Sequence, residues 1–177
     1  MKKDAILSDD RKYRYILSRT WDEIKPIVLF IGLNSSTADE NEDDPTIRKC
    51  INFAKNWGYG GILMANLFAL RSTNPQGLYS ELNPIGIDND FYIKDSANKA
   101  DIIIACWGNH GSFRNRSQEV CKLINSLYCL DTNKSGEPKH PLYIKKGVIP
   151  KPYTRWVFRK RDIFLENSNI YKTKNDK

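Results

Sequence analysis

Several polar residues stand just past apolar runs, and their types suit a binding or catalytic site. Asn34 follows the run at 27–31, Asn66 closes the run at 62–65, and Trp107-Gly108-Asn109-His110 follows the run at 102–106. His140 precedes Pro141 late in the chain. An asparagine offers an acceptor oxygen and two N–H donors, enough to orient a water or to read the edge of a pyrimidine-like amide or a purine. A histidine can donate to a developing anion or exchange a proton near neutral pH. The stretch Gly32-Leu33-Asn34-Ser35-Ser36-Thr37 carries amides and hydroxyls suited to an anion, but no lysine follows it, so it is not a Walker-type phosphate loop. Plainer roles stand beside each of these. The 32–37 stretch also reads as a capped strand-to-loop turn, Asn66 as a partner for local backbone, and His140 and His110 as surface histidines.

Two charged stretches add to this. Residues 39–44 hold five carboxylates in six positions. They read as a solvated loop whose last member, Asp44, caps a helix, or as ligands for a hard cation such as Mg²⁺. The segment 151–177 holds eight Lys/Arg against three Asp/Glu, which is most of the net charge of +7. It reads as a solubilising tail or as a surface for a polyanion, with Arg155, Arg159, Lys160 and Arg161 as phosphate contacts.

The elements that would position these residues follow from periodicity. Residues 27–31, 62–65 and 101–106 are short β-branched runs that read as buried parallel strands. Asp44-Pro45 opens a helix in which Ile47, Cys50, Ile51, Ala54 and Trp57 recur at helical spacing, until Gly58 and Gly60-Gly61 end it. Residues 91–99 and 118–128 read as helices, the second with Val120, Leu123, Ile124 and Leu127 on one face. Residues 11–15 alternate charged and aromatic side chains like an edge strand or hairpin arm. Residues 71–90 form a long ordered loop, and 139–144 a short final strand or strand-like loop. Strands alternating with helices imply a mostly parallel sheet with helices on both faces, and such sheets bind ligands beyond the carboxyl ends of their strands.

Size and composition fit this. With 177 residues, 40% hydrophobic and 28% charged, the chain is one ordinary globular domain. Bulk disorder and fibrous classes are excluded. No apolar run reaches the ~18 residues of a membrane span, and no secretory signal is expected, which points to a cytoplasmic protein. The cysteines Cys50, Cys106, Cys121 and Cys129 lack zinc-knuckle spacing and read as buried, reduced thiols.

In order along the chain, LNSSTADENEDDPTIRKC, FAKNWGYGG, NLFALRSTNP, WGNHG and KHPLYI resemble the bacterial family catalogued as domain of unknown function 1643. That family usually has Asn-Pro-Ser where this chain has Asn34-Ser35-Ser36. More distantly, the order of motifs is similar to that of the uracil-DNA glycosylase superfamily. There, a first strand ends in Gly-x-Asp/Asn-Pro and positions the attacking water; Gly32-Leu33-Asn34 corresponds, with Ser35 replacing the proline. A second strand ends in an asparagine that reads the base edge, as Asn66 would here. A third ends in Trp-Gly, as Trp107-Gly108-Asn109 does. A late His-Pro-Ser loop stabilises the departing base; His140-Pro141-Leu142 lacks its serine. Phe68, Trp107 or Tyr143 would supply the stacking aromatic.

The resemblance implies a three-layer α/β/α domain over 1–150, with a central mostly parallel sheet of about four strands, followed by the basic segment 151–177 as helix or tail. It implies a nucleobase-recognising hydrolase of N-glycosidic bonds, needing no cofactor or metal, with Asn34 and His140 catalytic. Gly32, Ser35, Asn66, Phe68, Trp107 and Asn109 would bind substrate. A nucleotide or modified-base binding module on the same fold is the alternative. A metal-dependent enzyme using the acidic loop 39–44 is a third reading.

Overall fold

The run at 27–31, bounded by Pro26 and Gly32, forms the middle strand of a seven-stranded sheet in a computed structural model that describes residues 1–35, 41–72 and 75–155. The strands are β1 (Lys2–Leu7), β2 (Arg14–Thr20), β3 (Ile27–Ser35), β4 (Gly61–Arg71), β5 (Ile102–Ala105), β6 (Tyr128–Cys129) and β7 (Lys151–Pro152). Their order is β1-β2-β4-β3-β5-β6-β7. The inner block β4-β3-β5-β6 is parallel, and β1, β2 and β7 add antiparallel pairs at the two ends. The sheet is therefore mixed and larger than the mostly parallel sheet of about four strands expected from sequence. The parallel core matches that expectation; of the antiparallel flanks, only the start of β2 falls in a stretch read as a strand, whereas β1 is polar and β7 has two residues. Residues 11–15 lead into β2, which is an inner strand, because β1 covers its outer side.

The helices are α1 (Pro45–Asn56), α2 (Pro75–Ser80), α3 (Asn89–Lys99) and α4 (Arg116–Leu123). α1 begins as its sequence predicts. The Asp44 carboxylate accepts from the Ile47 N–H at 2.8 Å, and Pro45 occupies the first turn, where its missing N–H costs nothing. Because strand side chains alternate between faces, Val28 and Phe30 meet α1 residues Ile47, Cys50 and Ala54 on one side. Leu29 and Ile31 meet Ile93 of α3 and Val120 of α4 on the other. This makes three layers with a core on each side of the sheet.

Two segments differ from the periodicity. The expected helix at 118–128 covers Arg116–Leu123; Ile124 is already extended, though Ile124 and Leu127 stay buried in the same cluster. Residues 139–144 hold the 3₁₀ turn Pro141–Tyr143 rather than a strand. The segment read as a tail starts inside the domain: β7 pairs with β6, and Tyr153 is buried.

Trp21 N–H and Asp22 N–H both donate to the Gly60 carbonyl, while Gly60 N–H donates to Pro26. This knot fixes where β2 ends and where β3 and β4 start. A Cβ at Gly60 would lie 2.0 Å from the Asp22 carbonyl oxygen, a backbone atom that cannot swing away. Gly60→Ala is expected to destabilise the fold by about 2–3 kcal/mol, read from the urea midpoint of unfolding.

Candidate active site

Beyond the carboxyl ends of β3 and β5 lies a cavity of about 520 Å³, within the usual size range of small-molecule sites. Gly32, Asn34, Asn66, Trp107, Asn109 and His140 all line it. Gly32 and His140, 108 positions apart, thus meet at the rim where three parallel strands end.

The strands are longer than their apolar runs. β3 continues to Ser35 and β4 to Arg71, so Asn34 and Asn66 sit within strands rather than after them. The extension holds because its backbone finds partners. Asn89 Nδ2 donates to the carbonyls of Asn66 (3.0 Å) and Leu67 (3.1 Å), and Arg116 Nε donates to Leu67 (3.0 Å). Ser35 is fully buried and does not line the cavity. Its hydroxyl accepts from Asn66 Nδ2 at 3.1 Å and donates to the Arg14 carbonyl at 3.2 Å. Ser35 therefore orients Asn66 rather than touching a ligand. Asn34 Nδ2 donates to the carbonyls of Ser72 (2.9 Å) and Ser35 (3.2 Å). Both N–H bonds of the Asn34 amide are thereby spent, and its oxygen remains as an acceptor suited to water.

Phe68 does not reach the cavity. It is fully buried and packs on Phe113, with ring centroids 5.6 Å apart, because β4 continues into the core at that point. Trp107 lines the cavity but is almost fully buried, and its Nε1 donates to Glu137 at 2.7 Å. Tyr143, 82% exposed and also in the wall, is the aromatic with a free face. The buried Glu137 also accepts from Ser117 Oγ at 3.1 Å and pairs with Arg155 at 3.3 Å. Arg155, expected as a phosphate contact, is thus an exposed residue whose guanidinium pairs with a buried carboxylate. Arg159, Lys160 and Arg161 lie outside the described residues.

Of the acidic stretch, Asp43 pairs with the buried Arg19 at 2.7 Å and Asp44 caps α1 while lining the cavity; Asp39 and Glu40 lie outside the described residues. Among the described residues no group of three His, Cys, Asp or Glu side chains is placed to hold a metal ion. All four cysteines are buried with free thiols, and burial raises their pKa values, that of Cys121 to about 12.

His140 is half-buried. Burial lowers its pKa, and the nearby Asp44 carboxylate opposes that in part. Its Nδ1 accepts from the Leu142 N–H in a long contact of 3.4 Å, which assigns the proton of the neutral ring to Nε2. Sequence reasoning undervalued His110 and passed over Arg14. His110 lines the cavity, and its Nδ1 lies 2.7 Å from the Tyr79 hydroxyl. Arg14 lines it too, although only 2% exposed. The only sequence signal for Arg14 was a charged residue inside an alternating strand-like stretch.

The fold and site define an α/β protein with a polar cavity, rich in asparagine and histidine, at the carboxyl edge of its parallel strands. The chain belongs to the family described as protein of unknown function DUF1643, whose model matches residues 14–142. No curated protein and no solved structure matches it.

A Cβ at Gly32 would lie 2.7 Å from Asn66 Oδ1 and 2.8 Å from Met64 Cε. Gly32→Ala is expected to cost about 1–3 kcal/mol of stability and to push Asn66 off its position, checked by thermal unfolding and by amide resonances of Asn66. The His140 shift sets a sign for pH dependence. A folded pKa below the unfolded value of about 6.5 gives stability that is full above that pH and is lost as pH falls through the folded value. The melting temperature of wild type should therefore fall more steeply on the acid side of that pH than that of His140→Ala.

Proposed function

We propose that the cavity binds a nucleobase and that the protein hydrolyses an N-glycosidic bond. The observation that carries this reading is that Asn34, Asn66 and His140, far apart in sequence, line one cavity with complementary polarity. Asn34 presents an oxygen to hold a water, Asn66 stands in the wall to meet a base edge, and neutral His140 keeps an Nε2–H donor. In the reaction the C–N bond breaks with its electron pair on the base, and water adds its oxygen to the anomeric carbon. One proton of that water ends on the base. His140 stabilises the negative charge that develops on the base, a role in which a preorganised donor is worth several kcal/mol, about 3–4 by mutational loss. Tyr143 supplies the stacking face.

One observation favours the alternative, a binding module without chemistry. Asn34 is an amide, which orients water but takes no proton, and its side-chain N–H groups are committed to backbone carbonyls.

A base-release assay separates the two. It uses nucleosides, nucleotides and single- and double-stranded oligonucleotides carrying uracil, hypoxanthine or damaged bases. Release that falls at least about a hundredfold in both Asn34→Ala and His140→Ala supports the hydrolase. Folded protein that releases no base from any substrate leaves the binding module. Under either reading Tyr143→Ala should weaken base binding by about 1–3 kcal/mol, read by calorimetric titration.

A further inference from the structure

We propose that His110 is a second catalytic residue of this site, the one that hands a proton to the departing base, and that Tyr79 positions it. This rests on the hydrolase reading above and names the proton donor of that reaction.

Two histidines line the cavity, His110 and His140, and their rings have different partners. His140 Nδ1 accepts from the Leu142 backbone N–H. A backbone N–H can only donate, so a proton on that Nδ1 would set two donors against each other. Burial of His140 acts in the same direction. His140 is thus held neutral, a form that lends a hydrogen bond but keeps its proton. His110 Nδ1 lies 2.7 Å from the Tyr79 hydroxyl. A phenol hydroxyl both donates and accepts. It donates to Nδ1 of the neutral ring, and it accepts from the Nδ1–H of the imidazolium once its own proton has rotated away. The contact therefore survives the gain and loss of a proton, which is the requirement on a residue that carries one. With Nδ1 engaged, Nε2 is the ring nitrogen left to meet a ligand.

Tyr79 is held from two directions. Its ring stands edge-on to Phe113, with centroids 4.8 Å apart, and Phe113 packs on the fully buried Phe68. Arg114 donates to the carbonyls of Glu81 and Leu82, both at 2.9 Å. This clamp ties the chain just after α2 to the 3₁₀ segment Asn109–Asn115, which carries His110. Arg114 and Asn115 have positive φ angles of 52° and 57°, in the left-handed region that costs a non-glycine residue energy. Strain of that kind persists where the surrounding contacts over-determine the backbone, and it gathers at functional sites.

In the step, the C–N bond breaks with its electron pair on the base, and that pair takes the Nε2 proton of the His110 imidazolium. Water adds its oxygen to the anomeric carbon and releases one proton to solvent. His110, exposed at the mouth of the cavity, takes one proton back from solvent. One water is consumed, and His110 returns to its starting form. Neutral His140 donates a hydrogen bond to the base throughout, so the two histidines divide charge stabilisation from proton transfer.

The test compares single-turnover base release by wild type, His110→Gln and Tyr79→Phe on matched leaving groups. The base that wild type releases is paired with an analogue that departs more readily without a proton: 5-fluorouracil for uracil, or an N7-methylated purine for a purine. In His110→Gln the rate on the ordinary base should fall by about 10²–10⁴-fold, and the loss on the analogue should be at least about tenfold smaller. Tyr79→Phe keeps the ring against Phe113 and removes the hydroxyl, so it should show the same pattern with a smaller loss. His110→Asn replaces His110→Gln if thermal unfolding shows that the latter does not fold. A loss equal on both leaving groups, or an unchanged rate, overturns the assignment of His110 and leaves the hydrolase reading standing. An unchanged rate in Tyr79→Phe overturns its positioning role. Folded wild type that releases no base from any substrate overturns the hydrolase reading and this assignment with it.

Discussion

Where β3 and β4 run side by side, Gly32 and Asn66 are partners in the parallel ladder, and the Asn66 oxygen fills the space a side chain at 32 would need. The site depends on that close approach. Asn66 is held from the other side by Ser35, whose hydroxyl passes the hydrogen bond on to the Arg14 carbonyl. The amide is therefore fixed by a chain of buried donors and acceptors. Such a chain is rigid because breaking any one bond strands a polar group away from water. Asn34 is fixed by the same logic through the carbonyls of Ser35 and Ser72.

The opposite wall is organised by a buried carboxylate. Glu137 receives Trp107 Nε1, Ser117 Oγ and the Arg155 guanidinium, so the buried carboxylate has both hydrogen bonds and a counter-charge. Trp107 is thereby tied to Glu137, and Gly111 packs against its ring with no room for a Cβ, which would lie 2.1 Å from it. Asn109 is tied down at 2.7 Å by Ser135. The turn at 133–138 and the segment 107–110 act as one unit, although neither has regular strand or α-helix structure.

Between these walls the cavity combines fixed acceptors, a neutral histidine, an exposed tyrosine and a buried cation. It also separates roles by burial: Asn66, Trp107 and Arg14 are nearly enclosed, whereas Asn109, His110 and Tyr143 are open to solvent at the mouth. No helix of the described residues is long and apolar enough to cross a membrane.

The sequence by itself determined the elements whose local signals are strong. The runs at 27–31 and 102–106 are parallel strands, Asp44-Pro45 starts α1, and Asn34, Asn66, Trp107 and Asn109, which stand at the ends of apolar runs, line the cavity together with His140. It also carried the family, since those motifs lie within the matched span 14–142. Tertiary structure decided the rest. The strands run on past Asn34 and Asn66 only because Asn89, Arg116 and Ser72, distant in sequence, satisfy their backbone or side-chain groups. Phe68 lies in the core and Tyr143 in the cavity wall, which their residue types alone left open, since an aromatic ring gives no sign of which face of the sheet, or which depth, it will occupy. Arg14 and Arg155 look alike as surface cations in a basic chain. One is walled into a cavity and the other is locked to Glu137, because burial and partner choice are properties of the packed chain and not of its local pattern.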